Sequence, residues 1–232
     1  MTPCMGLTGV PLRMLIVTLL SRRDIAFRTE LLNLSMGSHF DKCDPMSETL
    51  QPTLWRTCRA LASHQRLRLL EVLYKNGEMT VTQVARKAGR TLSAVSENLR
   101  ALNARGLLKV RRRGRYVYYR IGADASVPGA AELLRAVMTV LHSRRDGRSF
   151  CFKALTGLTH YRRHTLLYVL HQRAHAFTDL SRDAKIPGPA LKRHLRKLRD
   201  RDLIEFKNGA YRLAKSRDPL RNALLKLSSS PP

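Results

Sequence analysis

The 232-residue sequence predicts a mainly α-helical fold with small β-hairpins (α+β), built from two copies of one unit. Three observations predict it. First, residues 81–110 and 177–206 align at a constant offset of 96, with identity at Thr82/Thr178, Arg86/Arg182, Ala88/Ala184, Ala94/Ala190, Leu99/Leu195, Arg100/Arg196, Leu102/Leu198, Arg105/Arg201 and Leu107/Leu203. Self-similarity at a fixed period marks a repeated supersecondary unit. Second, apolar residues in each copy recur every three and four positions over two stretches split by a short turn, which is helical spacing. Third, each copy closes on an apolar run, a turn containing glycine and a β-prone return, which describes a hairpin.

Charge narrows the function classes. The chain has 43 Lys+Arg against 17 Asp+Glu, a formal net charge of +26. Residues 1–50 hold five basic residues (Arg13, Arg22, Arg23, Arg28, Lys42) and five acidic ones (Asp24, Glu30, Asp41, Asp44, Glu48). Residues 51–232 therefore carry the whole excess, 38 minus 12. Such density repels itself unless a polyanion offsets it, so nucleic acid is the expected partner. No P-loop, GxSxG, HExxH or paired-carboxylate pattern occurs, and carboxylates are too sparse to supply acid/base or two-metal chemistry; an enzyme is not expected. Cys4, Cys43, Cys58 and Cys151 lie far apart without a CxxC pair. That argues against a disulfide framework or zinc ribbon and fits a reducing cytoplasm.

Residues 1–50 read as a separate extension. VPLRMLIVTLL, residues 10–20, is too short to span a bilayer and contains Arg13. A flexible or peripheral segment, or a start placed too far upstream with Met36 and Met46 as alternatives, is expected there, and no membrane anchor.

The first unit is expected over residues 51–125. Leu54, Cys58 and Leu61 mark one helix; Leu67, Leu70 and Leu73 mark a second, closed by Gly77. Thr80 can cap a short third helix with Val81, Val84 and Ala88 on its apolar side. After a turn at Gly89-Arg90, Thr91 caps a fourth helix. Leu92, Val95, Leu99 and Leu102 are expected in the core, leaving Ser93, Ala94, Ser96, Glu97, Arg100 and Asn103 outward. A hairpin follows: Leu107, Leu108 and Val110 lead out, Tyr116–Ile121 return, and Arg111, Arg112, Arg113 and Arg115 surround Gly114 at the tip. This cationic finger suits the phosphate backbone or the minor groove. Residues 126–149 contain an amphipathic helix, GAAELLRAVMTVLH, which can pair with a second chain or pack the two units together.

The second unit is expected over 150–216, with a helix remnant and tail at 217–232. THYRRHTLLYVLHQ and FTDLSRDA form two helices, and Lys185-Ile186-Pro187-Gly188-Pro189 the turn. In the next helix Leu191, Leu195 and Leu198 face inward, leaving Lys192, Arg193, Arg196, Lys197 and Arg199 for solvent or nucleic acid. Asn208-Gly209 makes the second hairpin turn. His160 and His164 share a helix face at metal-compatible spacing, but no cysteine or carboxylate completes a set, so no metal site is expected.

Both units thus read as winged helix-turn-helix domains in tandem. Over about residues 53–142, the segments SHQRLRLLEVL, VTQVARKAG, SAVSENLRALNARGLLKVRRRGRYVYYRI and PGAAELLRAVMTVL resemble the ArsR-type regulators of bacteria. The family pattern VSxHLxxLxxAGLV is met by Val95, Ser96, Leu99, Leu102, Gly106 and Leu107, with Asn98 where the family often has His. The resemblance implies sequence-specific binding to double-stranded DNA and, usually, repression by a dimer, here through residues 129–142. Many members sense metal through cysteines in an ELCVC-like motif. The matching stretch here is Glu78-Met79-Thr80-Val81-Thr82, and threonine is a poor ligand for a soft metal, so neither metal nor cofactor is expected.

The sequence reading is therefore a cytoplasmic, nucleoid-associated DNA-binding regulator. Thr91, Ser93, Ser96, Glu97, Arg100, Arg111, Arg112, Arg113, Arg115, Lys185, Lys192, Arg193, Arg196 and Lys197 are its expected contacts. A non-regulatory RNA-binding, chromosome-organising or replication-initiating module is the competing reading.

Overall fold

Helix boundaries in the first unit follow from local capping. In the computed structural model, which describes residues 52–232, α1 (Leu54–Leu61) is followed by α2 (His64–Asn76), whose N-cap Ser63 accepts the Arg66 amide. Gly77 ends α2 at φ 74°, and a two-residue strand β1 (Met79–Thr80) follows. Thr80 and Gln83 form a reciprocal capping box at the start of α3 (Val81–Ala88). Gly89 turns the chain in the left-handed region, and Thr91 caps α4 (Leu92–Asn103) by accepting the Ala94 amide. The expectations for residues 1–50 lie outside the described residues.

The first wing consists of β2 (Leu108–Arg113) and β3 (Tyr116–Ile121), antiparallel around Gly114-Arg115. Arg111, Arg112 and Arg113 thus lie in a strand rather than in the tip. β1 pairs with the free edge of β3, Met79 opposite Tyr119, giving the order β1-β3-β2. A two-residue strand carries no alternation for a sequence pattern to reveal.

The long linking helix is α5 (Ala130–Ser143). The second unit then begins with α6 (Gly147–Leu155), absent from the sequence reading, which runs into a 3-10 turn at Thr156–Leu158. α7 (Tyr161–Gln172), α8 (Phe177–Asp183) and α9 (Gly188–Arg199) follow. The second wing is β4 (Ile204–Lys207) with β5 (Ala210–Leu213), and α10 (Pro219–Leu227) is a full helix.

The offset of 96 holds in three dimensions. α4 and α9 begin and end at equivalent positions. Gly89 and Gly106 have positive φ, and their equivalents Lys185 and Asp202 keep that conformation at φ 53° and 55° despite their side chains. The isolated His175–Tyr211 bridge stands where Met79–Tyr119 pairs in the first unit.

One apolar core runs through both units. Val95, Leu99 and Leu102 of α4 and Leu191, Leu195 and Leu198 of α9 are all buried. Leu92 departs from expectation: the first residue of α4, it is 53% exposed. The expectation that α5 pairs two chains also meets a different arrangement. Its apolar face, including Leu133, Leu134, Val137 and Leu141, is buried within the chain against α6 and α10. Its exposed residues, Ala131, Arg135, Thr139, His142 and Ser143, form a thin, mostly polar strip. Gly129 shows how closely these helices meet, since a Cβ there would lie 2.8 Å from Leu227 Cδ2.

Candidate nucleic-acid interface

The buried stripes of α4 and α9 determine which side chains are left outside. On α4, Thr91, Ser93, Glu97 and Arg100 are exposed and Ser96 is half-buried. The Ser93 hydroxyl lies 3.5 Å from Glu97, one helical turn on. Hydroxyls, a carboxylate and one guanidinium make a mixed donor and acceptor surface with the chemistry that base edges require. Asn98 does not belong to that surface: its amide donates to the Ala94 carbonyl and its Oδ1 accepts from Arg66, which holds α2 against α4.

Leu92 joins this face as a residue missed by the sequence reading. An exposed leucine among serines can meet a thymine methyl. The signal was available: the equivalent of Leu92 is Gly188, whereas Val95, Leu99 and Leu102 are matched by Leu191, Leu195 and Leu198. Arg86 and Arg90 were missed as well. Both are exposed and line, with Gln65, Thr91 and Ala94, an open recess at the start of α4, where free amides favour an anion.

On α9, Lys192, Arg193 and Arg196 are exposed, as is Lys185 in the turn before it. Lys197 is half-withdrawn, and burial, with Arg163 and Arg201 nearby, lowers its pKa. His194 is buried beneath this face, and desolvation, reinforced by His160, Arg163 and Arg193, brings it down to about 4. The outward side of α9 is therefore almost purely cationic, which supplies affinity for phosphate with little sequence information.

The wings differ too. Arg111 is committed to Glu78 at 2.7 Å, through a two-point hydrogen bond that ties β2 to the residue before β1. The hydrogen bond to Arg111 holds the Glu78 carboxyl below the usual range. Arg112, Arg113 and Arg115 are exposed without an ion-pair partner among the described residues; Arg113 and Arg115 lie 5.9 and 5.1 Å from the Tyr118 and Tyr116 rings. In the second wing Arg212 is paired with Glu205 at 2.6 Å, and the exposed Phe206 ring packs on Tyr211.

Among the described residues no group of three metal-ligating side chains comes together. The stretch matching the metal-sensing motif is occupied otherwise: Glu78 by Arg111, Thr80 by the α3 cap. His160 caps α7, and His164 is buried, pushed down to about 4 by desolvation. Cys58 and Cys151 are buried free thiols whose pKa burial raises, for Cys151 to about 12. No described helix is long and apolar enough to cross a membrane.

Helices presenting a polar face beside a β-hairpin define a winged helix-turn-helix protein. Comparison with known proteins shows which families the two units match. The model for "Bacterial regulatory protein, arsR family" matches residues 162–205, in the second unit, and the HVO_A0114 family model matches residues 61–124, in the first. Residues 162–205 thus carry an ArsR-family domain. It is 41% identical over 69 residues to an HTH-type transcriptional regulator of Mycobacterium tuberculosis, covering 30% of each chain. It is 39% identical over 66 residues to nodulation protein NolR of Rhizobium meliloti, covering 28% of this chain and 53% of that one. The matched segments thus span about a third and about half of these relatives. Among solved structures, the homodimeric winged helix-turn-helix DNA-binding domain of a Mycobacterium bovis protein is 32% identical, with a TM-score of 0.34 over 45% of this chain and 94% of that one.

Proposed function

We propose that this chain is a sequence-specific double-stranded-DNA-binding transcriptional repressor, cytoplasmic and nucleoid-associated, without catalytic activity. The observation that carries the proposal is the sorting of each long helix into a buried leucine or valine stripe and an outward polar face, repeated at Leu92–Asn103 and Gly188–Arg199. In this reading Leu92, Ser93, Ser96, Glu97 and Arg100 read base edges. Thr91, Arg112, Arg113 and Arg115 hold the backbone beside them. Lys185, Lys192, Arg193, Arg196 and Lys197 grip phosphate in the second unit, and Arg111 acts by fixing the wing. Homodimerisation through residues 129–142 is the weaker reading, because the apolar side of that helix is buried within the chain.

The test is selection of bound duplexes from a random DNA pool in the presence of RNA competitor. A regulator retains one motif over random DNA by roughly 10³-fold or more. Equal retention of random duplex or of RNA would overturn the proposal in favour of a non-regulatory nucleic-acid module.

A further inference from the structure

The packing between the two units is reciprocal. The first helix of one unit, α1, packs on the matching segment of the other, the end of α6 with the 3-10 turn. α2 packs on α6, and its equivalent α7 packs on α1. The helices that follow the two wings, α5 and α10, pack on each other. Equivalent elements meet each other, and the α2–α6 pairing is mirrored by α7–α1; the packing of α5 on α6, neighbours along the chain, is the exception to an otherwise isologous, two-fold pattern. Side chains consolidate it. His64 of α2 stacks on Phe152 of α6 at 4.4 Å, Arg148 of α6 pairs with Glu71 of α2 at 3.2 Å, and Lys226 of α10 pairs with Glu132 of α5 at 3.1 Å.

The same correspondence reaches inside each unit. Arg66 donates to the Ala60 carbonyl at the end of the first helix. Its equivalent Arg163, 97 residues on, donates at 2.6 Å to the carbonyl of Gly157, the residue 97 beyond Ala60. Both arginines are pushed below their usual pKa by burial, Arg163 to about 10. Each unit thus carries the same internal clamp.

We infer that one chain is a covalent pseudo-dimer whose DNA target is a bipartite, non-palindromic site read by a single molecule. The inference rests on the proposed DNA-binding function. On this inference the pseudo-two-fold offers α4 and α9 to adjacent major-groove segments, as in two-fold helix-turn-helix dimers, whose half-sites lie about 10 base pairs apart. The halves are unlike because the two faces are unlike. α4 offers Leu92, Ser93, Ser96, Glu97 and Arg100, whereas α9 offers Lys192, Arg193 and Arg196. One half-site is therefore specified by base identity and the other by little more than backbone position.

The experiment combines duplex selection on the full chain with native mass spectrometry of the complex. The expected result is one chain of 26.4 kDa per duplex on a motif without dyad symmetry. S96A and R100A should change preference in one block of that motif only. The triple variant K192Q/R193Q/R196Q should keep the preferred bases and flatten the dependence of log affinity on log salt by about 2 to 3, at about 0.9 for each phosphate left unneutralised. Two chains per duplex on a palindrome would overturn the inference alone. So would base changes in both blocks from the α4 variants. Failure to enrich any duplex over RNA would overturn the DNA-binding proposal, and this inference with it.

Discussion

At the scale of single residues, the two units expose the cost of their differences. Lys185 holds a left-handed conformation at φ 53° where the first unit uses Gly89, and a Cβ there costs roughly 1 kcal/mol or more. Lys185→Gly is expected to raise unfolding free energy in denaturant titration by up to about 1 kcal/mol, even as it removes a cation from the proposed interface. Leu92 makes the opposite case. Since it is exposed, Leu92→Ala should leave stability within about 0.5 kcal/mol while altering selected bases; a drop of several kcal/mol would place it in the core after all. Two buried histidines give the fold an acid limit. The unfolded chain binds protons at His164 and His194 near 6.5, the folded chain only near 4, so stability is full above 6.5 and falls as pH drops toward 4. Each proton taken up on unfolding steepens that loss by up to about 1.4 kcal/mol per pH unit. His194→Asn, which copies Asn98 of the first unit, should flatten the pH dependence of the melting temperature across that window.

Among the elements, the wings separate affinity from architecture. Replacing Arg112, Arg113 and Arg115 with Ala should weaken binding to every duplex and reduce the salt slope, by at most about 0.9 for each arginine that neutralises a phosphate. Arg111→Ala should change the slope least of the four, because that guanidinium is engaged by Glu78. Helices were legible in the sequence because their signals are local: Ser63, Thr80 and Thr91 at caps, and leucines at helical spacing. β1 and α6 were not. β1 exists only through its pairing with Tyr118 and Tyr119, some forty residues on. α6 buries Cys151, Ala154 and Leu155 in a pattern too short and too mixed to stand out from its basic surroundings. The outward charges of α9 were legible by subtraction once its leucines were assigned, whereas Leu92 was misassigned because one apolar residue fits a period by chance.

At the scale of the whole molecule, the described residues 52–232 are expected to unfold as one body. With a single core running through both units, calorimetry should give one transition with equal calorimetric and van't Hoff enthalpies rather than two. Gly129→Ala should lower the midpoint of that single transition, reflecting a loss of about 1–2 kcal/mol in unfolding free energy at a residue whose φ is 73°, with Leu227 forced to shift as well. What the sequence left open at this scale was the destination of the α5 apolar face. Amphipathicity shows that a helix must be covered and is silent on what covers it; here the cover is α6 together with α10, the latter nearly ninety residues further along the same chain. Fusing the halves has a consequence for change over time. In an assembly of identical subunits every substitution arrives twice, and both sides must tolerate it. Here an altered residue arrives once, so a new preference can be tried on one side while the other keeps its hold, and the contrast between serines on α4 and lysines and arginines on α9 is what such freedom leaves behind.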